Sequence, residues 1–163
     1  LPSKIERNRM RKEETIDHNI KAAWHAISRM YNQQATKHDI TTSIGFVLLN
    51  IHSEEGTPAT KIAPLMGLEA RSLTRMLKTM EEKKLIYREQ DRIDKRSVRI
   101  FLTELGKRKK DISRETVLLF NNRVREAVSE NKLQVFFEVM NEINQLAVQG
   151  ILEAEEIGQS NYT

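Results

Sequence analysis

The side chains best suited to specific chemistry lie between positions 71 and 96, and that chemistry is recognition of a polyanion. Arg71, Ser72, Thr74, Arg75 and Lys78 fall outside an apolar row formed by Leu73, Met76, Leu77 and Met80. At helical spacing this leaves guanidinium forks for guanine edges, and hydroxyl and ammonium groups for phosphate oxygens. Further along, Arg92, Lys95 and Arg96 crowd one short loop. A concentration of cations of that kind is drawn to the negative potential of a narrow minor groove.

The surrounding pattern supplies elements that could position these groups. Ile16, Ile20, Ala23, Ile27 and Met30 recur at heptad-like steps, with Trp24 and Tyr31 widening the stripe, which predicts a helix of roughly twenty residues. Polar residues from Asp39 to Ser43 can start a second helix, whose inner positions are Ile44, Val47, Leu48 and Ile51. Thr57 and Pro58 read as an N-cap followed by a proline in the first turn of a third helix, with Ile62, Leu65 and Met66 facing inward. Gly67 can end it in a left-handed turn, and the helical period resumes at Leu73, so residues 57–83 read as helix, tight turn, helix.

After Leu85 the period drops to two. Val98, Ile100 and Leu102 alternate with Arg99 and Phe101, and Ile86-Tyr87-Arg88 can pair with them antiparallel across Asp91 to Ser97. Thr103 and Glu104 then open a helix carrying Ile112, Thr116, Leu119, Phe120, Val124 and Ala127 inward. Asn131 with Gln134 resembles a capping box for a last helix, with Leu133, Phe136, Phe137, Met140, Ile143, Ala147 and Ile151 inside. A helix pair followed directly by a basic hairpin is the winged-helix arrangement, whose second helix suits a major groove and whose hairpin suits the adjoining minor groove or backbone. The fold class is therefore mainly α, an α+β winged helix-turn-helix flanked by long helices.

Charge distribution supports that reading. The chain has 163 residues and a net charge of +4, but residues 58–110 carry +8 while residues 111–163 carry −5. Solubility alone does not require such a dipole. The absence of cysteine rules out disulfides, thiol nucleophiles and cysteine-ligated metals. There is no phosphate-cradling glycine loop, no G-x-S-x-G and no H-E-x-x-H, so no enzyme is expected. His18 and His25 share a helix face, yet without a tight His/carboxylate cluster no metal site and no cofactor are expected. No apolar stretch is long enough for a membrane span and no secretory signal is found, which places the expected protein in the cytoplasm.

The run Ser72-Leu73-Thr74-Arg75, then Met80-Glu81-Glu82-Lys83-Lys84-Leu85-Ile86, Asp91, Asp94-Lys95-Arg96, Val98 and Leu102-Thr103-Glu104-Leu105-Gly106 resembles the signature of the multiple-antibiotic-resistance regulator (MarR) family. The resemblance extends over residues 14–157. It implies a bacterial, homodimeric transcription regulator, usually a repressor, that binds double-stranded DNA at pseudo-palindromic operators and is often released by a small phenolic or amphipathic effector. It places the wing motif on Asp94 and Arg96, with the arginine in the minor groove and the aspartate orienting the wing, and the recognition positions on Arg71, Ser72, Thr74 and Arg75. It also divides the chain into a basic arm (1–13), a dimerisation region (14–40 and 104–157), the winged helix (41–103) and a disordered tail (158–163).

Two departures from the family pattern carry expectations. Lys84 stands where the family commonly has glycine, so a left-handed turn there strains a non-glycine residue, and the turn is expected to survive. Pro64 removes a hydrogen bond inside the third helix and should kink or shorten it. Trp24, Tyr31 and Phe46 are the aromatic residues that an effector pocket would use, although aromatic residues at helical spacing are more often core than pocket. The contrasting readings are a winged helix that binds protein, for which an apolar wing would be expected, and a non-specific architectural DNA binder without ligand sensing.

Overall fold

The computed structural model describes residues 11–149. The tail at 158–163, Ile151 and all but the last three residues of the arm at 1–13 lie outside the described residues. A short 3-10 turn at Lys12–Glu14 leads into α1 (Ile16–Thr36). There follow α2 (Thr42–Leu49), β1 (Thr57–Pro58), α3 (Ala59–Met66), α4 (Ala70–Glu82), β2 (Ile86–Gln90), β3 (Val98–Leu102), α5 (Glu104–Ala127) and α6 (Glu130–Val148). The chain divides into two compact units at Val117/Leu118, and α5 runs across the division.

In the first unit the helical pattern sets the core. α1 ends with Asp39 at φ 56°, and Ile40 donates its N–H back to the Ala35 carbonyl at 3.2 Å. This is a Schellman-type stop in which aspartate takes the left-handed position that glycine usually holds. Thr41 caps α2, its hydroxyl accepting from Ile44 N at 3.2 Å. Ile44, Val47, Leu48 and Ile51 are then all buried, as their spacing predicts.

Three expectations change. Thr57 and Pro58 form a third strand, paired with β3 through Thr57↔Ile100 and Pro58↔Arg99, and the helix starts one residue later than expected, at Ala59 with Pro58 as its N-cap. The sheet order is thus β1-β3-β2. Thr57 Oγ1 accepts from His52 N at 2.9 Å, so its hydroxyl serves the preceding loop, and two residues are too few to show a strand period. Leu65 is 65% exposed, because the buried stripe of α3 is Ala59, Ile62, Ala63 and Met66 at i, i+3, i+4 and i+7. The helix runs through Pro64 and stops at Gly67, which has φ 61°. The last helix starts earlier than Asn131, with Ser129 as its cap in extended backbone.

β2 and β3 pair as expected, from Ile86↔Leu102 to Gln90↔Val98. Ile86, Ile100 and Leu102 point into the core against Leu73, Leu77 and Met80 of α4. Lys84 does adopt the left-handed conformation, at φ 56°. Leu85 N donates to the Met80 carbonyl at 2.9 Å and Lys84 N to that of Glu81 at 2.8 Å, closing α4 without glycine.

In the second unit, Leu133 is buried, while Leu119, Phe136 and Phe137, expected inside, are exposed, and so is Ala127. Two helical segments cannot enclose a stripe as wide as the one α6 carries, because a helix face needs another layer to cover it. Ile16, Ile20 and Trp24 on α1 are likewise exposed.

Candidate nucleic-acid interface

The third and fourth helices form the helix-turn-helix, turning at Gly67. α4 buries Leu73, Leu77 and Met80 and leaves Arg71, Ser72, Thr74, Arg75 and Lys78 exposed. Thr74 Oγ1 donates to the Ala70 carbonyl at 2.9 Å, so the hydroxyl offers only its lone pairs outward. The end of α4 is tied to the hairpin in two ways. Glu81 pairs with Arg88 of β2 at 2.8 Å. Thr103 Oγ1 donates to the Lys84 carbonyl at 2.6 Å and accepts from Gly106 N at 3.0 Å, so one hydroxyl both caps α5 and holds the turn after α4.

The wing loop, residues 91–97, is organised by an aspartate to which the sequence reading gave no role. Asp91 is buried, and its Oδ1 accepts from Ile93 N at 2.8 Å and Asp94 N at 3.1 Å. Its Oδ2 accepts from Arg99 Nε at 2.9 Å. The Asp94 and Ile93 amides, followed by the Arg99 guanidinium, hold the Asp91 carboxyl down at about 2, well below the ordinary carboxylate value. Asp94 contributes further on, its Oδ1 accepting from Arg96 N at 3.0 Å. Gln90 Nε2 spans the hairpin to the Lys95 carbonyl at 2.6 Å. The available signal was an Asp91/Arg99 pair flanking a polar loop, with the aspartate placed to start an Asx turn.

A depressed folded-state pKa contributes stability above the unfolded value and loses it as pH falls through the folded value. For Asp91 that window runs from 3.8 down to about 2. Amide-exchange protection of Ile93 and Asp94 is therefore expected to fall across this window while the β2–β3 ladder stays protected. In Asp91→Asn, where an NH2 group would face Arg99, the acid-dependent step should vanish. An identical step in the variant would show that another group controls the loop.

Six cations on the helix and wing remain uncommitted. Among the described residues, Arg71, Arg75, Lys78, Arg92, Lys95 and Arg96 form no ion pair, whereas Lys83, Arg88, Arg99 and Lys107 of the same basic stretch pair with Asp39, Glu81, Asp91 and Glu54. The four paired cations bridge separate parts of the domain. The six unpaired ones, with Ser72 and Thr74, are exposed on α4 and the wing. Asp94 is exposed at the same tip.

Tyr31 and Phe46 line a cavity beside α2, together with Ile40, Thr42, Ile112 and Thr116. Trp24 does not line it. It is half exposed and sits against Phe46, with ring centroids 6.1 Å apart, while Tyr31 meets the same ring edge-on at 5.9 Å. Burial raises the pKa of the Tyr31 phenol. Thr42 Oγ1 is buried and has no hydrogen-bond partner among the described residues. Among those residues, no group of three or more His, Asp or Glu is placed to hold a metal, and no helix is long and apolar enough to cross a membrane.

A helix-turn-helix whose second helix leads into an antiparallel hairpin with a cationic tip defines the winged-helix class. Within that class, residues 40–98 match the model of the MarR family. The HTH-type transcriptional regulator TtmR of Methylorubrum extorquens is 36% identical over 88 residues, which is 54% of this chain and 45% of TtmR. The chain thus matches under half the length of that relative. Among solved structures, Staphylococcus aureus MepR in complex with DNA superposes with a TM-score of 0.74 at 22% identity, covering 80% of this chain and 97% of MepR. CouR from Rhodococcus jostii bound to p-coumaroyl-CoA gives 0.69 at 19% identity, covering 82% and 94%. These two share the fold.

Proposed function

We propose that the chain is a sequence-specific, DNA-binding transcription regulator of the cytoplasm. In this reading it is a homodimeric repressor of a pseudo-palindromic operator, released by a small amphipathic or phenolic effector. The observation that carries it is the set of six unpaired cations on α4 and the wing, while Lys83, Arg88, Arg99 and Lys107 of the same stretch pair within the domain. α4 lies in a major groove with Arg71, Ser72, Thr74, Arg75 and Lys78 towards bases and phosphates. Arg92, Lys95 and Arg96 follow the neighbouring minor groove, with Asp94 shaping the wing. The MepR–DNA complex supports this use of the fold.

The winged helix spans 41–103, and the flanking segments, 14–40 and 104–157, serve dimerisation. The exposed apolar side chains of α1, α5 and α6 support that assignment, since pairing two copies would bury them. Sedimentation at micromolar concentration is expected to give twice the 19.0 kDa chain mass, with the recognition helices about 34–36 Å apart to meet successive major grooves. A species of 19.0 kDa alone would count against it. The cavity holding Tyr31, Phe46 and the unpartnered Thr42 hydroxyl supports an effector with an apolar body and a polar group, as does the CouR complex. Trp24 borders that site through Phe46.

The test is selection from a random duplex pool, followed by anisotropy across a salt series. Convergence on an inverted repeat bound by two chains is the expected result. Salt-dependent binding that never converges would point to architectural or non-specific DNA binding, and no binding at all would favour a protein-binding winged helix or a protein already locked in its induced state.

A further inference from the structure

The wing tip carries a residue that electrostatics does not explain. Ile93 is 94% exposed, a large aliphatic group held almost wholly in water between Arg92 and Asp94. Its place is fixed by the loop. Its N–H is held by Asp91 Oδ1 at 2.8 Å, the next amide by the same oxygen at 3.1 Å, and Ser97 N closes the turn on the Asp94 carbonyl at 2.8 Å. Backbone pinned on both sides cannot roll the side chain inward.

We infer that Ile93 is an apolar reader of the minor groove, packing on the floor and sugar walls beneath the wing and disfavouring base pairs that present the guanine amino group there. This rests on the DNA-binding reading above. Arg92, Lys95 and Arg96 bring the tip to the phosphates on either side, and the groove between them is lined by deoxyribose C–H. Aliphatic side chains are used in minor grooves in this way, as wedges or fillers. A·T pairs show only acceptors on that floor, whereas G·C adds the guanine N2 amino donor. Covering that donor with an isoleucine displaces its water partner and leaves it unpaired. The wing would then add discrimination through shape and desolvation, with no hydrogen bond of its own.

Inosine isolates the effect, because replacing guanine by inosine deletes the minor-groove amino group and leaves the major-groove edge intact. The full chain is titrated against a mixed-sequence duplex and the same duplex with inosine for every guanine. Wild type is expected to bind the inosine duplex about tenfold more tightly, the scale of leaving one covered donor unpaired. Ile93→Ser should bring the two affinities within about twofold without changing the salt slope, because no phosphate contact is lost. Ile93→Val should keep most of the preference. An inosine preference that persists in Ile93→Ser, or is missing from wild type, overturns the role of Ile93 while leaving DNA binding intact. Failure of wild type to bind either duplex at low salt overturns the DNA-binding reading and this role with it.

Discussion

Gly106→Ala is expected to lower the stability of the domain by about 3 kcal/mol, read as a shift in the urea midpoint at unchanged slope. A Cβ on Gly106 would sit 1.9 Å from the Leu85 carbonyl oxygen and 3.0 Å from its carbon. Both are backbone atoms, so no side chain can swing aside. Leu85 is itself fixed, its carbonyl accepting from Thr103 N at 3.0 Å and its N–H held by Met80. Relief therefore requires moving α5 away from the hairpin base and breaking the Thr103 bonds. Gly67→Ala is the control. Gly67 has a left-handed φ of 61° but nothing within 4 Å of its added Cβ, so only the conformational cost of about 1–2 kcal/mol remains. Equal midpoints for the two variants would show that α5 yields for no more than the conformational cost at Gly67.

Arg75→Ala and Arg96→Ala should both weaken operator binding, in ways that can be told apart. Arg75 lies exposed on α4, one residue beyond Thr74, where a guanidinium can reach a guanine edge. Its loss is expected to cost about 1–3 kcal/mol and to relax preference at one base pair in each half-site. Arg96 lies in the wing, and its loss should reduce affinity across all sequences and lower the salt slope by about one, as one fewer set of counterions is released. The readouts are repeated selection with the variant for Arg75 and a salt series for Arg96. If neither substitution changes affinity, α4 and the wing are not the DNA-binding surface.

How far the sequence could be read depended on whether a feature repeats. Helices α2 and α4 show an apolar period and β3 alternates, so their places and inward faces are legible; the period of α1 places the helix, yet Ile16, Ile20 and Trp24 of its stripe are exposed. Strand β1 is two residues long and shows no period, and Thr57-Pro58 fits a helix start equally well. Leu65 was misplaced because alanines at 59 and 63 hold the inner face of α3, and small residues carry little hydropathy signal. Phe136 and Phe137 follow an inward pattern but point into water in the single chain, since the period reports that a face is to be buried and not by which molecule. The exposed cations of α4 were visible as residues outside the apolar row. Asp91 was hidden, because its role depends on two amides and a guanidinium that only the folded loop brings together.

Thr103 has a mechanical consequence. Its hydroxyl joins the turn after the recognition helix to the first turn of α5, while its backbone N–H anchors the base of the hairpin at Leu85. A shift in the first turn of α5 would therefore reach the turn after α4 and the base of the hairpin together, like one bolt through two plates. On the DNA-binding reading proposed above, a signal that reaches α5 would need no separate linkage to α4 and to the wing.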